Sequence, residues 1–348
     1  MAREETTIEA AGREVRLTSP SKVVFPARAD RDDGRGPLRA VTKRDVVDYY
    51  LAVAEPALRR LRDRPGALKR YRDGIARAPF FQKRIGDGAP EWLQTAVVTF
   101  PSGRTARELV IQDEAHLVWA LQLGVIDLHP WPVRRPDLDR PDELRIDLDP
   151  TPEASWHDVR RAALCVREIL DEHGLVGWPK TSGSRGIHVD VRIRPEHEFA
   201  GVRRAAVALA REAERRLPGV ASAKWWKEER RGVFLDFNQN ARDRTVAAAW
   251  SLRPVPDALV SMPLRWEDVP DAELGDFRID TVPALLAERG DPHAAIDDHA
   301  GSLDGLLELA RVDEEERGLP DAPWPPNYPK QPGEPPRVQP SRARRHDR

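Results

Sequence analysis

The chain has 348 residues, of which 40% are apolar and 33% are charged, and its formal net charge is −2. This composition is typical of a soluble globular protein with one large domain or two ordinary ones, and the near-neutral charge leaves any nucleic-acid binding to local basic clusters. No apolar run approaches the length of a membrane span, and the polar N-terminus lacks the apolar core of a signal peptide. The single cysteine, Cys165, excludes an intrachain disulfide and a cysteine-based zinc site, so we expect a cytoplasmic protein.

A short strand signal near the N-terminus precedes a helix predicted from Thr42 to about Leu61. Thr42 and Asp45 form a capping box, which marks the start of the helix. Lys43 lies in the first turn, where the positive end of the helix dipole disfavours a cation but attracts an anion. Lys43 and Lys22 are therefore a candidate phosphate site, and solvated lysines are the alternative.

A basic strand predicted at 68–74 is followed by two adjacent aromatic residues, Phe80 and Phe81, and then by Lys83 and Arg84. Neighbouring residues in a strand or helix face different ways, so the two rings are not expected to reach the same core. Aromatic rings among basic side chains suit stacking on exposed bases above a phosphate track. The alternative is one core phenylalanine and one partly exposed one.

A hairpin predicted at 94–111 leads to a helix at 113–124 and an apolar strand at 125–131. His129 lies near the end of this strand. A lone histidine in that position is more often structural than catalytic.

The next predicted strand, at 144–150, alternates apolar and charged residues and ends at Pro150. The period of two places Asp147 and Asp149 on one face. Two carboxylates that point the same way repel each other, and a fold tolerates them mainly when a cation lies between them. An edge strand with a solvated acidic face is the alternative.

After a further helix, residues 180–191 combine a Ser/Gly loop with the start of a strand. Ser182 and Arg185 would add a hydroxyl and a cation to the free backbone N–H groups of such a loop, which are the parts of a polyphosphate site. His188 shares a strand face with Asp190. A plain glycine hairpin is the alternative.

Asp236 is a lone carboxylate in an apolar strand at 233–237, and its burial is costly unless it is paired or bound to metal. The other predicted elements are helices at 155–174, 201–217, 281–289 and 302–316 and a strand at 245–252. Nine of the 21 residues from Pro320 to Pro340 are proline, and the chain ends in an Arg-rich stretch. This tail is expected to be extended or disordered and to pack no core.

Three strand-borne aspartates, Asp147, Asp149 and Asp236, can hold two divalent ions. One ion would lower the pKa of an attacking hydroxyl, and the other would neutralise a triphosphate and its leaving pyrophosphate. Hard oxygen ligands favour Mg²⁺ or Mn²⁺ over zinc. The 182–188 loop and Arg253 would hold the triphosphate, so the pattern predicts nucleotidyl transfer.

These motifs, taken in order, resemble the polymerase domain of the bacterial end-joining DNA ligase D, within the archaeo-eukaryotic primase superfamily. The resemblance extends over about residues 12–310. The segments that carry it are LTSPSKVVFP (17–26), TKRDVVDYY (42–50), Lys69–Arg70, Phe80–Phe81, Ile126–His129, DLDP (147–150), TSGSRGIH (181–188), VFLDFNQN (233–240) and Ser251–Arg253. It implies an α/β (α+β) primase-polymerase fold at 1–310, with a mixed central sheet carrying the aspartates and helices outside it, followed by the tail at 311–348.

The resemblance also implies a role for individual residues. The metal-binding catalytic residues would be Asp147, Asp149 and Asp236. The nucleotide-binding residues would be Ser182, Arg185, His188, His129, Gln239 and Arg253. The residues that contact DNA and its 5′-phosphate would be Lys22, Lys43, Lys69, Arg70, Phe80 and Phe81.

The implied activity adds nucleotides, with a preference for ribonucleotides, to 3′ ends at gaps or double-strand breaks. It would use two divalent ions (Mn²⁺ or Mg²⁺) and NTP or dNTP substrates. The implied partners are DNA with 5′-phosphate ends or gaps, the Ku protein and a separate ATP-dependent DNA ligase, at the nucleoid in the cytoplasm.

The sequence departs from the family pattern in several places. Arg185 stands where family members commonly have lysine, and Asp190 is an additional acid that is expected to favour the protonated form of His188. A polar insertion at about 28–40 lengthens a loop near the proposed phosphate site. The chain carries no ligase or nuclease domain, so we expect a stand-alone polymerase.

Other functions compete with this interpretation. A non-catalytic module for DNA-end binding and synapsis would keep the phosphate site but has no use for three clustered carboxylates. A metal-dependent nuclease or a nucleotide-sugar transferase could use an Asp-x-Asp motif, but the triphosphate loop and the lysine pair disfavour them. Priming in replication or damage tolerance is possible on the same active site.

Overall fold

The computed structural model describes residues 4–29, 36–325 and 327–330. Its helices are α1 (Lys43–Ala52), α2 (Ala54–Leu61), α3 (Glu114–Gln122), α4 (Trp156–Glu172), α5 (Phe199–Arg216), α6 (Val282–Arg289) and α7 (Asp304–Glu315). Its strands are β1 (Glu5–Ala10), β2 (Arg13–Thr18), β3 (Val23–Phe25), β4 (Val41–Thr42), β5 (Pro65–Gly66), β6 (Leu68–Arg70), β7 (Phe80–Gln82), β8 (Thr95–Thr99), β9 (Thr105–Val110), β10 (Glu143–Pro150), β11 (Gly177–Thr181), β12 (Ile187–Arg192), β13 (Ala221–Ser222) and β14 (Val233–Leu235). Among these helices, none is long and apolar enough to cross a membrane.

A mixed sheet of five strands forms the centre of the fold, in the order β11-β12-β10-β14-β13. Its pairs are antiparallel except for β13 and β14. Helices α4 and α5 pack against it, and Ile146 and Leu148 of β10 belong to the same buried core as these helices. Asp147 pairs with His188 on β12, and Leu148 pairs with Leu235 on β14. The predicted α/β class and mixed central sheet are confirmed.

The helix starts follow the local sequence signals. Thr42 and Asp45 form the predicted capping box at α1, and a second capping box starts α4. The helix predicted from Thr42 to Leu61 is interrupted at Val53, which separates α1 from α2. Pro56 has no backbone N–H to continue the hydrogen-bond ladder of α1, which accounts for the break.

Two predicted strands are wrong. Within the described residues, 125–131 and 245–252 belong to none of the strands. The Leu128 N–H donates to the Ser251 hydroxyl and the Ala248 N–H donates to the Leu128 carbonyl, each at 2.8 Å. These two segments thus hydrogen-bond to each other through backbone and side-chain groups, without the regular hydrogen-bond ladder of paired β-strands.

The C-terminal region also differs from the prediction. Helix α7 ends at Glu315, beyond the predicted boundary at residue 310. Trp324 and Tyr328 are buried and form a small apolar cluster with Ala241. The prediction that this region packs no core is therefore wrong for these residues. Residues 331–348 of the tail and 30–35 of the predicted insertion lie outside the described part of the chain.

Candidate active site

The three predicted aspartates lie on, or directly after, adjacent strands at the centre of the sheet. Asp147 and Asp149 lie two residues apart on β10, and Asp236 follows the last residue of β14. The Asp236 backbone N–H donates to the Asp147 carbonyl at 2.8 Å, which fixes the two strands against each other. The Asp236 carboxylate accepts hydrogen bonds from the Asn238 N–H at 3.1 Å and the Gln239 side chain at 3.0 Å.

The aspartates are electrostatically unfavourable to one another. Burial raises the pKa of Asp147 to about 6. Burial, followed by the charges of Asp147 and Asp236, raises the pKa of Asp149, and burial followed by Asp147 raises that of Asp236. Such a group of carboxylates binds either protons or a cation, and its oxygen donors are those of a hard divalent ion. Across the described residues, no three His, Cys, Asp or Glu side chains are grouped closely enough to hold a metal ion in this arrangement.

A cleft of about 180 Å³ opens beside Asp236, and we call it the aspartate cleft. Its lining residues are Trp225, Arg230, Asp236, Asn238, Gln239, Arg244 and Pro325. The positive charge of Arg230 opposes the rise in the pKa values of Asp149 and Asp236.

The Ser/Gly loop is the tip of the hairpin formed by β11 and β12. The Ser182 hydroxyl accepts from the N–H groups of Ser184 and Gly186, at 3.2 and 3.0 Å. A Cβ on Gly186 would lie 2.2 Å from the Leu148 carbonyl oxygen, so only glycine allows the loop to approach β10 this closely. Arg185 is exposed at the tip. The alternative prediction of a glycine hairpin is therefore confirmed for the backbone. The same hairpin places the polar groups of the loop beside the strand that carries Asp147 and Asp149.

His188 connects this hairpin to the aspartates. Its Nε2 lies 3.2 Å from Asp147 Oδ1, and its Nδ1 lies 2.6 Å from the Lys180 ammonium. Burial, followed by the charge of Lys180, lowers the pKa of His188 well below its ordinary value. A charged lysine is only a donor, so Nδ1 accepts and Nε2 carries the proton toward Asp147.

Asp190 raises the pKa of His188, as expected, but the net shift of that pKa is downward. The Asp190 carboxylate accepts from Arg60 at 2.9 Å, and its effect on the pKa of His188 is outweighed by burial and by Lys180. Lys180, at the start of the predicted Ser/Gly segment, is a functional candidate to which the sequence prediction assigned no role. It is fully buried, and burial lowers its pKa to about 8.

A second missed residue, Asp127, organises three basic groups, namely Lys69, His129 and Arg253. Its carboxylate lies 2.9 Å from His129 Nε2 and 3.0 Å from the Lys69 ammonium. Arg253 lies 3.3 Å from His129 and 3.8 Å from Asp127. Burial alone would raise the pKa of Asp127, but His129, Lys69 and Arg253 lower it to about 2. In the sequence, Asp127 is an acid within an apolar run and part of the Ile126–His129 segment, but no role was assigned to it.

Lys22 and Lys43 line one cleft of about 410 Å³, which we call the lysine cleft. The Lys43 backbone N–H donates to the Lys22 carbonyl at 2.8 Å, so the two residues are held side by side. The Lys43 ammonium donates to Gln122 at 2.7 Å, and Lys22 donates to the Arg72 carbonyl. Arg70 lines the same cleft.

Phe80 and Phe81 are both 57% exposed, so the alternative in which one of them joins the core is wrong. They lie on β7, which pairs with β6, and they line a cleft of about 750 Å³ that we call the aromatic cleft. Its other residues include Lys83, which lies 4.2 Å from the centre of the Phe100 ring. Lys69 on β6 lies 5.9 Å from the centre of the Phe81 ring.

Comparison with known proteins matches residues 42–293 to the family model described as LigD, primase-polymerase domain. The multifunctional non-homologous end joining protein LigD of Mycolicibacterium smegmatis is 33% identical over 295 residues, which cover 84% of this chain and 37% of the relative. The LigD protein of Mycobacterium tuberculosis strain H37Rv is 30% identical over 320 residues, or 87% of this chain and 40% of the relative. This chain thus spans about two fifths of the length of these relatives.

The structure is similar to the polymerase domain of Mycobacterium tuberculosis ligase D in complex with DNA. The TM-score is 0.73 at 30% sequence identity, and the match covers 82% of this chain and 99% of that domain.

Proposed function

Because the chain belongs to the LigD primase-polymerase family, we propose that it adds nucleotides to DNA 3′ ends at gaps and double-strand breaks during end joining. The family is one of nucleotidyltransferases that use metal ions. The observation that carries the proposal is the placement of Asp147 and Asp149 on β10 and of Asp236 directly after the adjacent β14, beside a hairpin tip that offers a hydroxyl, backbone N–H groups and a cation.

Asp147, Asp149 and Asp236 would hold two divalent ions, Mn²⁺ or Mg²⁺. The fit rests on the donor set: burial raises the pKa of all three carboxylates, and the charge of Asp147 raises it further for Asp149 and Asp236, so a bound cation would stabilise the ionised forms. Bound ions would supply charge neutralisation and an acidified hydroxyl. Gln239 and Asn238 orient the Asp236 carboxylate, and the protein's own contribution is this fixed geometry.

The triphosphate would lie against the hairpin tip, where Ser182 and Arg185 provide donors. His188 would present its protonated Nε2 to the same region, because Lys180 occupies Nδ1. Arg253 and His129, held by Asp127, would complete the binding of negative charge.

The lysine and aromatic clefts would bind DNA. Lys22 and Lys43, with Arg70 nearby, suit a 5′-phosphate on the far side of a gap. The exposed rings of Phe80 and Phe81 would stack on a template base, and Lys69 beside Phe81 would add a positive charge.

In the cell we propose that the protein acts at the nucleoid in the cytoplasm, together with Ku and a separate ATP-dependent DNA ligase. The relatives' names place them in non-homologous end joining, and the similar structure was determined in complex with DNA. The proposal extends those roles to this chain.

The test is primer extension on a gapped duplex with Mn²⁺ or Mg²⁺, comparing NTP and dNTP substrates. Wild type should extend the primer, and the double variant Asp147→Ala/Asp149→Ala should not. Absence of extension by wild type, with phosphate-dependent DNA binding intact, would favour an end-binding module in place of a polymerase.

A further inference from the structure

A segment beyond the matched family region reaches two of the three clefts, the aspartate cleft and the aromatic cleft. We define the C-terminal strap as residues 319–325, 327 and 328, whereas the family match covers residues 42–293. Pro325 lines the aspartate cleft and Asn327 lines the aromatic cleft. The strap therefore forms part of the wall of each cleft.

A buried cation, Arg203 on α5, connects the strap to the turn that follows Asp236. Its side chain is 0% exposed, and it donates to the carbonyls of Ala322 and Pro323 at 3.1 and 2.6 Å. The same guanidinium donates to the Asn238 side-chain oxygen at 3.1 and 3.2 Å. One cation thus binds the strap and the residue two positions after the catalytic aspartate.

Two aromatic rings contact the same cation. The guanidinium carbon of Arg203 lies 4.4 Å from the centre of the Trp324 ring and 5.2 Å from that of Phe237. Phe237 belongs to the turn and Trp324 to the strap. Cation–π contacts of this kind are strongest where water is excluded, as it is here.

The turn is short and is held by contacts from outside it as well as by its own hydrogen bonds. It is a 3₁₀-helix at Phe237–Asn240, and this type of helix has poorer hydrogen-bond geometry than an α-helix. The Asn238 N–H and the Gln239 side chain both bind the Asp236 carboxylate. A shift of Asn238 would therefore move the carboxylate itself.

We propose that the C-terminal strap is a positioning element for Asp236, that Arg203 is the positioning residue through which it acts, and that the functional polymerase unit extends to about residue 328. This inference rests on the proposed function. The strap holds the turn in the geometry that the metal ions and nucleotide require, so it affects metal affinity as well as stability.

The test is Mn²⁺ binding to the full chain without DNA or nucleotide, measured from free Mn²⁺ by electron paramagnetic resonance at a temperature where every variant is folded. Trp324→Ala should weaken Mn²⁺ binding on the order of tenfold and lower kcat on gapped DNA, with KM for DNA unchanged. Trp324→Phe, which keeps a ring over Arg203, should restore most of both. Leu319→Ala, at an exposed strap position, is the matched control and should bind Mn²⁺ like wild type.

A Trp324→Ala protein that melts at a lower temperature but retains wild-type Mn²⁺ affinity and kcat would overturn the inference, because the strap would then be only structural. If Trp324→Ala does not fold, Asp321→Ala takes its place. Asp321 lies 3.3 Å from Arg203 and is 36% exposed, so its loss should weaken Mn²⁺ binding in the same direction without opening the core. Failure of wild type to bind Mn²⁺ and to extend a primer would instead overturn the proposed function, and this inference with it.

Discussion

The groups proposed to bind the nucleotide and the aromatic cleft proposed to bind DNA differ in how their side chains are held. His188, Lys180 and Asp127 are buried, and each is fixed by partners from other parts of the chain. In contrast, Phe80 and Phe81 are more than half exposed. The proposed nucleotide site is preorganised by the fold, which is what charge stabilisation in a reaction requires, whereas the aromatic rings would become ordered if DNA binds there.

Holding an ionised acid in this environment changes the stability of the fold, and the sign of the change differs between Asp147 and Asp127. Burial raises the pKa of Asp147, so its ionised form destabilises the fold. Asp127 has a lowered pKa, because three basic groups surround it, so its ionised form stabilises the fold. Replacing Asp147 by a neutral residue should therefore not lower the stability of the fold, whereas replacing Asp127 should lower it.

The largest effect is expected for Asp147→Asn. Primer extension should fall on the order of a thousandfold, because a metal ligand is lost. The melting temperature should stay equal or rise, since a destabilising charge is removed. Asp171→Asn, at an exposed helix position, is the control. Retained activity, or a clear loss of stability, would contradict the assignment of Asp147.

Asp127→Asn should have the opposite effect on stability. It leaves Lys69, His129 and Arg253 without their carboxylate, and removing one partner of a buried ion pair costs about 3 kcal/mol. Urea unfolding at neutral pH measures the free energy of unfolding. Unchanged stability would show that Asp127 does not organise the three basic groups.

On the DNA side, Phe80→Ala/Phe81→Ala should weaken binding to a gapped duplex by about tenfold to a hundredfold, because stacking contributes about 1–3 kcal/mol per base. The exposed rings support no core, so the melting temperature should not change. Fluorescence anisotropy measures the affinity, with Val97→Ala as an exposed apolar control. Wild-type affinity in the double variant would exclude stacking on DNA.

The smallest effect concerns Glu108, a buried acid on β9 whose carboxylate accepts from the Trp131 indole N–H at 3.0 Å. Burial raises its pKa to about 7, above the ordinary 4.5. The folded state therefore holds this proton at pH values where the unfolded chain has lost it, and stability falls as pH rises from about 4.5 through 7.

Glu108→Gln removes this titration. Between pH 6 and 8 the variant should gain about 1 kcal/mol in unfolding free energy relative to wild type. Urea unfolding of both proteins at these two pH values is the measurement. Parallel pH profiles for the two proteins would show that Glu108 does not titrate in this range.

Local patterns in the sequence were sufficient for much of this architecture. The period of two in β10 placed Asp147 and Asp149, and the capping boxes placed the starts of α1 and α4. Glycines and hydroxyl residues marked the loop at 182–186, although its hairpin geometry was only the alternative prediction.

Features that depend on distant partners were missed. The roles of Lys180 and Asp127 arise from contacts with residues brought together by the fold, His188 in one case and Lys69 and Arg253 in the other. Proline content predicted an unpacked tail, but composition cannot show that Arg203, more than 100 positions earlier, binds the segment.

The most direct measurement is the rate of primer extension on a 5′-phosphorylated gapped duplex, as a function of DNA and of nucleotide concentration, for wild type and Lys22→Gln/Lys43→Gln. If the lysine cleft binds DNA ends and the nucleotide binds elsewhere, the variant should raise KM for DNA and leave KM for nucleotide unchanged at saturating DNA. The variant should also extend primers equally well with and without the 5′-phosphate. A variant that keeps its 5′-phosphate dependence, or that raises only KM for nucleotide, would contradict the assignment of the lysine cleft to DNA ends.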